Sequence, residues 1–162
     1  MERVESVFVE NRQRKFQLDL EQFKKAVGAV LGALKVADRE VSVLLLSDPA
    51  MRKMNLEYRG IRGTTDVLSF AMDDGEFGDP SGQILGDLVI SVETIVRQAG
   101  QPFTDGRPQT HSPQEELALM TIHGLLHLVG FDHETSEEDA REMIRRENEL
   151  FGRFNGLFPA VV

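Results

Sequence analysis

Three of the chain's four histidines fall inside eleven residues, in the stretch HGLLHLVGFDH from His123 to His133, with the spacing H-x3-H-x5-H. On a helix, His123 and His127 stand four residues apart and project from one face, one turn from each other. Gly130 lets the chain leave the helix and turn back, which makes His133 a candidate third ligand at the same point. Three neutral imidazoles around a divalent ion leave a coordination position open to water or substrate, as in a catalytic rather than a structural zinc site. Zinc suits imidazole, and nickel or another divalent ion fits the same donors. The plain alternative is a set of hydrogen-bonded core histidines, the usual fate of a lone histidine on an apolar helix. Two unpaired imidazoles buried side by side would be costly, and a metal satisfies both at once.

Gly124 stands where the H-E-x-x-H metalloproteases carry the glutamate that takes a proton from water. A metal lowers the pKa of bound water to about 7, so hydroxide forms without a carboxylate, but amide hydrolysis still needs help with the leaving amine. A phosphodiester asks for less. In RNA the 2′-hydroxyl can itself attack while a metal and a cation stabilise the phosphorane-like charge. The missing glutamate therefore leans away from a peptidase. Asp132 is either a support for the metal, accepting the other N–H of a ligating histidine, or an ordinary turn aspartate. His111 is outside the pattern and reads as a surface histidine.

The elements that must position these residues alternate between short strands and helices. Val4 to Val9 and Val41 to Leu46 read as strands, and Leu18 to Leu34 as a helix of 3.6-residue apolar period. Asp48-Pro49 supplies a cap and a first-turn proline for a helix from Ala50 to Tyr58 that ends at Gly60 and Gly63. Val67 to Met72 and Ile84 to Val92 read as two further strands, joined through the hairpin-like excursion DDGEFGDPSG. A helix from Val92 to Gln98 and a surface loop from Gln101 to Gln109 follow. Ser112-Pro113-Gln114-Glu115 has the pattern of a capping box and opens the histidine helix, whose apolar residues run nearly all round it and predict burial. Thr135 or Ser136 caps a last helix running to about Phe154.

A chain of 162 residues reads as one domain, 1–162, long enough to bury about two-thirds of its unfolded surface. Hydrophobic residues at 41% and charged residues at 28% argue against global disorder. The first twenty residues interrupt every apolar run with a charge, so neither a secretory signal nor a membrane anchor is expected. The longest apolar stretch, Leu117 to Phe131, falls short of the ~18 residues a spanning helix needs. With no cysteine there is no disulfide, any metal must use nitrogen and oxygen ligands, and the cytoplasm is the expected compartment. A net charge of −9 would ordinarily argue against a nucleic-acid partner.

HGLLHLVGFDHE, NLEYRGIRGTTDVLSFAM (Asn55 to Met72) and LGDLVIS (Leu85 to Ser91) together resemble the YbeY family of metal-dependent endoribonucleases, block by block and in the family's order. Phe131 replaces the commoner tyrosine and Thr64 the commoner proline, and neither supplies a ligand. The resemblance implies an α+β fold, a small mixed sheet surrounded by helices, with a metal in a cleft. It implies His123, His127 and His133 as ligands and Arg59 of the YRG block as the catalytic cation. It also implies action on ribosomal RNA, in maturation at the small-subunit 3′ end and in ribosome quality control. Asp66, Ser69 and Asp87 lie in the other blocks as residues that shape the cleft, with a cap or turn role as the plainer reading of Asp66. Arg52, Lys53, Arg59 and Arg62 against Glu57 give a local net charge of +3. Screening confines surface fields to about 8 Å, so a basic cleft holds phosphate even on an acidic protein. The expected substrate is single-stranded RNA, delivered by a ribosomal particle or a protein partner. The competing readings are a metzincin-like zinc peptidase, which shares the ligand spacing, and a non-catalytic assembly factor with a structural metal.

Overall fold

The computed structural model describes residues 6–72, 81–102 and 105–162. Four strands, β1 (Val7–Asn11), β2 (Glu40–Leu46), β3 (Val67–Ala71) and β4 (Ile84–Ser91), form one sheet in the order β1-β2-β4-β3. The pairs β1/β2 and β2/β4 are parallel, and β3 lies antiparallel on β4 at the edge. Parallel neighbours need a crossover. Helix α1 (Leu20–Ala33) supplies the first, and α2 (Asp48–Arg59) lies on the path from β2 to the β3/β4 pair. Three helices follow: α3 (Val92–Gln98), α4 (Pro113–Leu128) and α5 (Glu137–Phe154). The fold is α+β with a mixed sheet, as expected.

Alternation along β2 sorts its side chains, burying Val41, Val43 and Leu45 on one face and leaving Ser42 and Leu44 toward the other. Helix α4 lies against β3 and β4 and is flanked by α3 and α5. Its residues are buried without a break from Glu116 to Leu126, so it is the central helix that its apolar composition predicts. Each large apolar side chain so buried contributes about 1.5–3 kcal/mol, which makes α4 a firm platform for its two histidines. Ser112 Oγ accepts from Glu115 N (3.2 Å), but the glutamate reaches back to His111 N rather than to Ser112 N, so the box closes one residue early. Ser136 is the cap of α5, accepting from Asp139 N at 3.0 Å.

Helix α2 departs from expectation at its start. Asp48 is its first residue, with Ser47 in the cap position, and the Asp48 carboxylate does not cap. It turns inward and accepts from Ser91 Oγ (2.6 Å), Thr94 Oγ1 (2.7 Å) and Arg97 (2.7 Å), tying α2 to α3. Three donors, one of them charged, outcompete a single backbone N–H. Burial pushes the Asp48 carboxyl up, but those bonds and the Arg97 charge outweigh it and hold the pKa at about 2.

The first strand runs two residues beyond the expected end because Glu10 and Asn11 pair with Leu44 and Leu45; residues 4 and 5 lie outside the described ones. Of the expected excursion at 73–82, residues 73–80 also lie outside, and the strands flanking it pair antiparallel, Ala71 with Gly86. On the face of the sheet away from α4, Met51 of α2 packs with Leu46, Leu68 and Val89. Beside them a groove of about 540 Å³ is lined by Phe8, Leu44, Tyr58 and Asp87 among others. Among the described residues no helix is long and apolar enough to cross a membrane.

Candidate metal centre and its cleft

His123 and His127 leave α4 from one face with ring centroids 4.6 Å apart. The helix then ends in a Schellman motif: Gly130, at φ +105°, donates to His127 O (3.1 Å) and Phe131 N donates to Leu126 O (3.0 Å). A side chain at Gly130 would strain that left-handed turn. The turn brings His133 back, its ring 5.6 Å from His123 and 5.2 Å from His127. One ring nitrogen from each of the three lies within 4.8 Å of the others.

The same motif sets a proton. The Phe131 carbonyl accepts from His127 Nδ1 at 3.0 Å, and a carbonyl can only accept, so Nδ1 carries the hydrogen and Nε2 the lone pair. His123 Nδ1 meets the Glu147 carboxylate of α5, which fixes its tautomer in the same way. The two Nε2 atoms therefore face each other as lone pairs at 3.1 Å. Zinc bonds of about 2.0–2.1 Å at tetrahedral angles place ligand nitrogens roughly 3.3 Å apart, so the pair fits a shared cation. Burial, followed by the neighbouring His123, pushes the His127 pKa below its ordinary value and favours the neutral ring that a metal requires.

Gly124 has a steric explanation. A Cβ there would meet Leu88 Cδ2 at 2.8 Å, and Ser69 Oγ and Val67 Cγ2 at 3.2 Å each. Helix α4 comes so close to β3 and β4 at this point that any side chain would crowd Leu88, Ser69 and Val67, and Ser69 Oγ donates to Gly124 O across the contact (3.3 Å). The position that holds the base in H-E-x-x-H helices is filled by the sheet.

The three histidines open onto a cleft of about 660 Å³ whose wall includes Arg59 and Arg107. Arg59 is the last residue of α2, which Gly60 ends in the left-handed conformation at φ +66°. Its side chain is exposed, in reach of a ligand in the cleft. Arg52, Lys53 and Arg62 are exposed but do not line it.

The sequence profile of the family described as Endoribonuclease YbeY matches residues 8–155. The chain belongs to that family. A relative named Endoribonuclease YbeY from Geobacter sulfurreducens is 36% identical over 146 residues, 90% of this chain and 93% of its own. Another of that name, from Pelotomaculum thermopropionicum, is 43% identical over 120 residues, 73% of this chain and 74% of its own. Among solved structures, the solution structure of TM1509 from Thermotoga maritima superposes with a TM-score of 0.58 at 23% identity, covering 93% of this chain and 89% of that one, a likeness of fold.

Within the YbeY blocks the structure sorts the remaining residues. Asp66 and Ser69 line the histidine cleft. Asp66 Oδ1 also accepts from Val67 N (2.8 Å), the turn role at the entry to β3. Asp87 does not shape that cleft. Successive residues of a strand face opposite sides of the sheet, and Asp87 lines the groove on the far face, where burial pushes its pKa up. Asp132 accepts from Glu134 N (2.8 Å) as a turn aspartate and also lines the histidine cleft, and His111 is exposed. Among the described residues the carboxylate hydrogen-bonded to a site histidine is Glu147, which no motif in the sequence singles out.

Proposed function

We propose that this YbeY-family chain is a single-domain, zinc-dependent endoribonuclease that cuts single-stranded RNA during ribosomal RNA maturation, with His123, His127 and His133 holding the ion. The observation that carries it is the convergence of two imidazole lone pairs at 3.1 Å, with a third histidine beside them, in a cleft that also contains an arginine. When bound, the ion supplies Lewis acidity and a position open to a phosphate oxygen or water.

The chain's own contribution is charge and shape. Arg59 reaches the phosphodiester with its planar fork and neutralises the charge that builds on the phosphoryl oxygens. His123 and His127 would present Nε2 without losing a proton, since their Nδ1 hydrogens are committed to Glu147 and to the Phe131 carbonyl. With the sheet crowding Gly124, no glutamate base stands at that position. Either the 2′-hydroxyl or water would form the new P–O bond as the bond to the leaving ribose oxygen breaks, its proton passing through solvent to that oxygen, while Arg59 neutralises the charge on the phosphoryl oxygens. A splayed single strand enters such a cleft; a duplex, with its bases stacked and paired, does not.

The peptidase reading loses its support at Gly124, which offers no base and where a Cβ would crowd Leu88, Ser69 and Val67. The structural-metal reading calls for four ligands, and among the described residues the cluster consists of three. An acidic chain of net charge −9 holds free RNA weakly, which favours presentation by a ribosomal particle in the cytoplasm. The test is cleavage of one labelled RNA, presented single-stranded and as a duplex, by zinc-loaded protein. Cutting confined to the single strand supports the proposal, and equal cutting of both contradicts single-strand selectivity.

A further inference from the structure

We propose that Glu147 is the positioning residue of the metal centre: its carboxylate, buried between α4 and α5, holds His123 in the Nδ1–H tautomer and aims Nε2 at the ion. The inference rests on the metal reading above and extends it to a residue outside the three ligands and outside the motifs that identify the family.

The geometry is specific. Glu147 is 1% exposed and lies 24 residues from His123, brought to it by the packing of α5 on α4. Oε1 meets Nδ1, which is on the far side of the imidazole from Nε2, so Glu147 supports the ligand without occupying a coordination position of the same ion. The other oxygen, Oε2, faces the Arg107 guanidinium, with Nε at 3.9 Å, and Arg107 also pairs with Asp105 at 3.2 Å. Arg107 lines the cleft, so Glu147 stands between a metal ligand and a cleft cation.

A buried carboxylate is costly to desolvate unless charge compensates it. Here the compensation is the Arg107 charge, 3.9 Å from one oxygen, and, on the other, a histidine whose Nε2 would face the ion when it is bound. Negative charge behind the ring raises its basicity toward the metal and fixes its orientation, and loss of such a partner typically costs 10–100-fold in metal affinity. The three ligands are held unequally. His123 is braced by a buried carboxylate and His127 by a backbone carbonyl, while His133 is exposed with its Nε2 3.9 Å from the carboxylate of exposed Glu134.

Glu147→Gln tests this with little change of volume. A glutamine amide can donate to Nδ1 as well as accept from it, so it no longer dictates the tautomer. Chelated full-length protein, wild type, Glu147→Gln and His127→Ala, is titrated with zinc against a competing chelator, and the His123 tautomer is read in the metal-free proteins by nitrogen NMR. The expected result is a zinc affinity lower by about 10–100-fold in Glu147→Gln, with the His123 Nδ1–H signal of wild type replaced by a tautomer mixture. Glu147→Asp, which keeps the charge and shortens the reach, should lose affinity as well and serves if the glutamine variant does not fold. Wild-type affinity and an unchanged tautomer in either folded variant would overturn the inference. Failure of wild type itself to bind zinc would instead overturn the metal reading, and the tautomer comparison would still decide whether Glu147 orients His123.

Discussion

Replacing Gly124 by alanine should destabilise the protein although the residue is inside a helix, where that exchange ordinarily helps. The helix term favours alanine by about 0.8–1.0 kcal/mol. Against it, the new Cβ would lie 2.8 Å from Leu88 Cδ2, the end of a fully buried side chain that must shift within the core. Ser69 Oγ and Val67 Cγ2, at 3.2 Å, must also give way. Overpacking of this kind costs about 1–3 kcal/mol, so the net loss is about 1 kcal/mol, which for a chain of this size lowers Tm by roughly 2–4 °C. Gly152, exposed in α5 with no neighbouring atom within 4 Å of where a Cβ would stand, is the control: Gly152→Ala should gain about 0.5–1 kcal/mol. Thermal unfolding of both variants and wild type, all chelated so that metal binding does not enter, is the assay. A Gly124→Ala protein as stable as wild type, alongside a stabilised Gly152→Ala, would refute the claim that the sheet displaces the base position.

Two further outcomes follow from the cleft and from the α2–α3 tie. Arg59→Ala should leave zinc content and Tm unchanged while lowering kcat roughly 100- to 1000-fold; a variant with wild-type turnover would remove Arg59 from the chemistry. Asp48 has a folded pKa of about 2 against an ordinary 3.8, so its contribution is fully present above 3.8 and is lost as pH falls through about 2. That contribution is about 2 kcal/mol. Asp48→Asn should therefore be less stable at neutral pH, with the gap to wild type narrowing as the medium is acidified, and parallel stability curves would count against the buried network.

What is legible in the sequence is what local chemistry decides. Helix Val92–Gln98 agrees residue for residue, and Ser112, Gly130 and the histidine spacing locate the histidine helix, its start and its end. Asp48 misleads because a cap is a local prediction, whereas its three donors come from Ser91, Thr94 and Arg97 on a distant segment. Gly124 reads as a lost base, and the reason for the glycine, the closeness of β3 and β4, is a tertiary fact. Glu147 is hidden among the many charges of α5, yet a signal exists. Met143, Glu147, Leu150 and Phe151 form the buried stripe of that helix, and a carboxylate on an apolar stripe requires a partner. Asp87 is assigned to the cleft only through its block, when the period of two along β4 puts neighbouring residues on opposite faces.

The three histidines are proposed to hold the metal on which RNA cleavage depends. The most direct measurement compares cutting of an end-labelled single-stranded RNA by wild type and His127→Ala, each chelated and then resupplied with zinc. Wild-type activity should vanish on chelation and return with zinc, while His127→Ala stays inactive throughout. Equal cleavage by the two proteins, or wild-type cleavage that survives chelation, would contradict it.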